Sequence, residues 1–186
     1  MIEALIAFVI LSVGLLGIVS LQALSKQSQH QAVQRARAIS MADSIVERIR
    51  INPGGLATYN IGTTALGGGT VASEPTPNCR TASCTPAQLA THDLWEWEQA
   101  LDGAMVKAGT TNTSGLIAPK GCIVFNAAPS RTRTGVVNVI VQWQGLHEST
   151  DAVRSGEVSC GGAVAGSDKY RRQVSVNTFV IDEQEL

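Results

Sequence analysis

Glu3 is the first residue that could do chemistry, and its surroundings are unusual for a charge. It is followed by 21 uncharged, mostly apolar residues, Ala4 to Leu24. A carboxylate in such a segment is costly, about 3 kcal/mol at a bilayer centre and less near the edge, so it is usually functional. Four cysteines, Cys79, Cys84, Cys122 and Cys160, form the second reactive group, and all lie far beyond the apolar run. An even number downstream of an anchor points to disulfides in an oxidising compartment. Spacing alone allows three pairings. The favoured one joins Cys79 to Cys84 and Cys122 to Cys160. No Cys-x-x-Cys occurs, and His30, His92 and His147 do not stand at finger-like spacing from two cysteines, so no metal site is expected.

Acyl-transfer chemistry needs a nucleophile, a base and an orienting carboxylate brought together. His92-Asp93 lies on an expected helix, where neighbours in sequence point apart, and His147-Glu148 lies in an expected loop. Both pairs read as surface residues, and Glu96 and Glu98 as a solvated helix face. Neither Gly-x-Ser-x-Gly nor His-Glu-x-x-His is present. Gly67-Gly68-Gly69 is followed by no Gly-Lys-Ser/Thr, so no phosphate loop and no cofactor is expected. The formal net charge is −1, from 14 Lys+Arg against 15 Asp+Glu, without the clustered cations that nucleic acid requires. The reading is of a chain that is not an enzyme.

The elements that carry these residues begin with residues 1–24. A helix needs about 20 apolar residues to cross a bilayer core, and this segment is long enough. It lacks the basic start of a signal peptide and exceeds the usual apolar core of one. It also carries too few charges for a soluble core helix. A plain signal anchor remains the competing reading. Lys26, Arg35 and Arg37 follow the span, which by the positive-inside rule would hold the rest of the chain in the cytoplasm. The cysteines argue the reverse. Removal of a basic leader reconciles them, and a processed or trimmed chain is expected.

Helical periodicity continues through residues 25–52 with Ala32, Ala36, Ile39, Ala42, Val46 and Ile49 as the apolar stripe, until Pro53-Gly54-Gly55 stops it. One helix of about 50 residues would run about 75 Å. The remaining residues, 53–186, read as a head domain. Residues 53–84 are rich in Gly, Thr, Ala and Pro and read as an irregular loop. Thr85, Pro86 and Gln88 open a helix over 85–107, with Ala90, Leu94, Trp97, Leu101 and Met105 as its stripe and Gly109 past its end. Trp95 falls off that stripe. Period-two patterns predict strands over 121–126, 136–143 and 173–181. They pair antiparallel, pack one face on the long helix and leave the polar face in solvent. The fold class is α+β.

Met1-Ile2-Glu3-Ala4-Leu5-Ile6-Ala7-Phe8, continued by Val9 to Gly17, resembles the class III signal of type IV pilins, and most of all the PilV-like minor pilins. The likeness is strongest over residues 1–53. It continues more weakly through Leu94-Trp95-Glu96-Trp97, Gly121-Cys122, Val141 to Gly145, Ser159-Cys160-Gly161 and Arg171 to Val174. It implies the type IV pilin fold: a long helix with an apolar first half, on a small antiparallel sheet. It also implies a leader cut by a prepilin peptidase, a methylated new N-terminus and a glutamate near it, to which Glu3 corresponds. The family shows four residues before that glutamate where two stand here, so the leader and two mature residues are expected to be missing. By resemblance the chain is a subunit anchored by one span in the bacterial inner membrane, its head in the periplasm, that later enters an extracellular pilus. There Glu3 would pair with a neighbour's α-amino group, and Gly14, Gly17 and Ser20 would let helices approach. Implied partners are other minor pilins, the major pilin, the assembly platform and an adhesin at the tip, with roles in priming assembly, adhesion and twitching motility. The alternatives are a type II secretion pseudopilin and a tethered periplasmic binding module or enzyme.

Overall fold

The computed structural model describes residues 2–71, 73–104, 107–109, 111–112, 115–162 and 166–186. The chain divides into two compact units, Met1–Ala36 and Arg37–Leu186. One helix, α1 (Ile2–Ile51), contributes to both. Leu, Ile and Ala dominate its first half, and Gly14 and Gly17 are its only weak helix formers of that kind. Ser12 donates to the Val9 carbonyl at 2.8 Å and Ser20 to the Leu16 carbonyl at 2.9 Å, so both hydroxyls are satisfied inside the helix. In Met1–Ala36 the apolar side chains are exposed, Phe8 at 70% and Leu16 at 67%. The helix is long and apolar enough to cross a membrane.

In Arg37–Leu186, α1 supplies Ala38, Ala42, Ile45, Val46 and Ile49 to the core. The buried stripe matches the expected one at Ala42, Val46 and Ile49 and departs from it elsewhere. Ile39 is 37% exposed and Ala32 and Ala36 are exposed, whereas Ala38 and Ile45 are buried. Positions 38, 42, 45, 46 and 49 follow steps of four, three, one and three along a 3.6-residue helix. The helix ends where Pro53 forbids continuation: a 3-10 turn covers Pro53–Gly55, and the Asn52 side chain donates to the Pro86 carbonyl at 2.8 Å. A short helix, α2 (Leu56–Tyr59), and a strand, β1 (Gly62–Leu66), follow inside what reads from sequence as irregular loop.

Helix α3 (Pro86–Leu101) opens with a complete capping box: Thr85 accepts from the Gln88 amide and Gln88 accepts from the Thr85 amide. It stops at Leu101, short of the expected Lys107. Asp102 closes the last turn and Gly103 takes a φ of 67°, so the break comes at Gly103 and not at Gly109. Met105 lies outside the described residues. Two short strands, β2 (Lys107–Ala108) and β3 (Thr111–Asn112), pair with each other.

The main sheet adds β4 (Lys120–Ala127), β5 (Gly135–Gln144) and β6 (Arg171–Val180), in the order β1-β4-β5-β6. All its pairs are antiparallel. Rows such as Ile123–Val139–Val176 and Phe125–Val137–Thr178 face the helices. At Gly121 a Cβ would come within 2.5 Å of the Trp97 ring and 2.7 Å of Leu101, so only glycine lets α3 sit this close to β4. The opposite sheet face is not solvated throughout: Cys122, Ile140 and Cys160 form a second small core there, beneath the Cys160–Gly162 turn.

Candidate assembly surface

The first half of α1 carries the assembly residues expected from sequence. At about 100° per residue, Glu3, Gly14 and Gly17 fall within an arc of about 60°, and Ser20 lies about 60° further round. The apolar half thus presents one carboxylate above two glycines on one face. Among the described residues none pairs with Glu3, and a Cβ built on Gly14 or Gly17 would meet nothing within 4 Å. The intervening side chains are exposed hydrocarbon. Such a surface can bury itself in lipid or against other helices, and its small residues permit a close approach.

The cysteines serve the head. Cys79–Cys84 closes a small loop, and Cys122–Cys160 fastens the segment before β6 to the outer face of β4. These bridges make structure, not a reactive centre; no cysteine is free.

The head's carboxylates overturn the surface readings. His92 is 2% exposed, Asp93 6% and Glu98 0%. Asp93 accepts from Arg48 at 2.7 Å and from the Tyr59 hydroxyl. Burial first, and then the bond to Asp93, raises the Tyr59 hydroxyl well above the ordinary phenol range. Glu96 accepts from Arg48 at 2.5 Å and from Arg80 at 2.6 Å, so α1 and the 80–84 segment are both tied to α3. His92 lies between Glu74 at 3.3 Å and Glu96 at 3.6 Å, its ring tilted against Trp95. Glu98 accepts from the backbone amides of Gly67, Thr70 and Val71 and from the Thr70 hydroxyl. Asp102 accepts from those of Gly68 and Gly69. Burial pushes the Glu98 carboxyl up, but these donors outweigh it and hold it below the usual range. The glycine run is thus a cradle for the protein's own carboxylates. Its signal in the sequence was present but ambiguous: three glycines free to turn their amides inward, and two acids one helical turn apart on α3.

His147-Glu148 remains at the surface, with Glu148 accepting from the Tyr170 hydroxyl at 3.2 Å. Arg171 and Asp151 are a pair sequence reasoning missed. They meet at 2.7 Å with both side chains buried, and Arg171 also donates to Ser159. Among the described residues no group of three His, Cys, Asp or Glu side chains is arranged to hold a metal ion.

A self-contained α+β head preceded by a helical half of exposed hydrocarbon, long and apolar enough to cross a membrane, is the architecture of an anchored subunit class. A family model described as "Tt1218-like: Type IV pilin Tt1218" matches residues 20–95, from within the apolar half of α1 through most of α3. Over those residues the chain is similar to type IV pilins, and its long apolar N-terminal helix and small four-stranded antiparallel sheet are consistent with the type IV pilin fold. No curated protein and no solved structure matches it.

Proposed function

We propose that this chain is a PilV-like minor pilin that joins or primes pilus assembly at or near the tip. Before assembly, residues 1–24 hold it in the bacterial inner membrane as a single span, with the head in the periplasm, where the two disulfides are stable. On assembly the apolar half leaves lipid for a bundle of pilin helices. Glu3 then pairs with the α-amino group of a neighbouring subunit, freed by a prepilin peptidase and methylated. In that low-dielectric bundle an unpaired carboxylate is expensive, so pairing fixes the axial register. Gly14, Gly17 and Ser20 let the neighbour come close. The partners are other minor pilins, the major pilin, the assembly platform in the membrane and an adhesin at the tip.

The observation that carries this reading is Glu3: a carboxylate on an exposed apolar helix, with no partner among the described residues of its own chain. The test compares Glu3→Leu with Glu3→Gln in cells that build the filament. Both variants remain in the membrane fraction in normal amount, since the span is unchanged or more apolar. Both fall at least about tenfold in sheared pili, the cost of losing one desolvated charge pair. Normal recovery of Glu3→Leu in sheared pili overturns the proposal.

A further inference from the structure

The two edges of the main sheet are built differently. At one edge β1 is short, its register to β4 shifts between Gly62 and Leu66, and the Cys160–Gly162 turn lies against it. Short length, irregular register and cover are the usual ways of closing an edge. At the other edge β6 runs ten residues in unbroken register with β5, from Gly135↔Val180 to Gln144↔Arg171. Gln173 to Ile181 contains no charge and no proline. Among the described residues, no hydrogen bond joins the backbone of 172–180 to any element except β5. Among the described residues the outward amides and carbonyls of Gln173 to Val180 thus have no backbone partner, although Val158 accepts from the Gln173 side chain on the polar side of the strand.

We propose that β6 is a docking edge that accepts an extended strand from a different protein. A strand recognises this edge through backbone hydrogen bonds, and its alternate side chains meet two unlike rows. On the helix side stand Val174, Val176 and Val180; on the other stand Ser175 and Asn177, both exposed. The matching segment alternates apolar and polar residues and lacks proline. A second copy fits poorly in two of the ways it could pair, antiparallel β6 to β6 and β6 to β1. Two β6 strands paired about a two-fold axis through the sheet would reverse the 37–51 segments of the two copies, whereas subunits sharing one membrane or filament run parallel. Pairing β6 with the β1 of a parallel copy fails because β1 is irregular and covered. The exclusion of the two-fold pair rests on the filament reading; the open edge does not.

The test uses the full chain in detergent micelles and, as probe, a short peptide of alternating valine and threonine with lysines at both ends. Hydrogen exchange is read residue by residue. The peptide slows exchange at alternate amides between Arg172 and Val180 and leaves β1 unchanged, and the same peptide with a central proline has no effect. Ser175→Lys with Asn177→Lys weakens the peptide by about tenfold, as edge charges do, at an unchanged thermal midpoint; Asn177→Asp alone replaces the pair if that midpoint falls. Absence of slowing, slowing by the proline peptide, or slowing spread over the whole head overturns the docking edge. A dimer in sedimentation that the lysine pair dissolves overturns the assignment to a different protein. None of these readouts requires entry into a filament, so they stand or fall separately from the Glu3 test.

Discussion

Carboxylates meet opposite fates in the two units. In Arg37–Leu186 the buried ones are answered within the chain: Asp93 by Arg48 and Tyr59, Glu98 by four donors, Asp182 by Arg133 and the Gln184 amide. In Met1–Ala36 Glu3 has no partner among the described residues, and it is surrounded by exposed hydrocarbon. The hydrocarbon divides in the same way. Ile45 and Ile49 are fully buried, whereas Leu5 is 65% exposed on the same helix. The head is a finished fold, whereas the apolar half leaves its hydrocarbon unburied within the chain and, under the proposed function, is one part of an interface. Stability measurements should therefore register changes in the head, and assembly measurements changes in the apolar half.

The largest effect on the head is expected at Arg171. Its guanidinium is fully buried against Asp151, and the Asp151 carboxylate also accepts from the Val153 amide. Arg171→Met leaves that carboxylate without its cation and costs about 3–5 kcal/mol. Urea unfolding followed by tryptophan fluorescence checks this, because Trp95, Trp97 and Trp143 all lie in the head. A midpoint within error of the wild type would mean that the head does not depend on answering its own charges, and the comparison would break.

Acid gives a smaller, graded version of the same test. Burial pushes the Asp151 carboxyl up, but Arg171 and two backbone amides outweigh it and hold it at about 2, below the usual 3.8. Glu98 is shifted in the same direction. A depressed carboxyl contributes stability that is complete above the unfolded value and is lost as pH falls through the folded one. The thermal midpoint should change little from pH 7 to 5 through these groups and then decline between about pH 4 and pH 2. A midpoint that holds steady across that lower interval contradicts the assignment.

Much of this was legible because it was periodic. The long helix, the capping box at Thr85–Gln88 and the three long strands follow from apolar spacing and punctuation that act locally. The pairings were less legible. Asp93 and Glu98 read as surface because helical position says nothing about what arrives from elsewhere, and here Tyr59 and the 67–71 segment arrive. β1 was hidden in a glycine- and threonine-rich stretch whose strand character depends on β4 beside it. Arg171 and Asp151 lie 20 residues apart with no shared pattern. In the apolar half, Glu3 stood out as a lone charge in an apolar run. The sharing of one arc by Glu3, Gly14 and Gly17 needed the helix to be continuous through that half.

The smallest expected change in the head comes from Gly14→Ala combined with Gly17→Ala, and that near-absence sharpens the comparison. Nothing lies within 4 Å of either added methyl group. Within the single chain the substitutions meet no obstacle, and each favours the helix by about 1 kcal/mol. Urea unfolding of the head should shift by less than about 0.5 kcal/mol. A neighbouring helix seated on this face would instead meet two methyl groups where it had met backbone, so recovery in sheared pili should fall while the amount in the membrane stays constant. Recovery equal to wild type would remove Gly14 and Gly17 from the contact and leave Glu3 as the residue that sets the register. A loss of head stability would mean that the glycines act within their own chain, and the division between a finished head and an interface half would fail at that point.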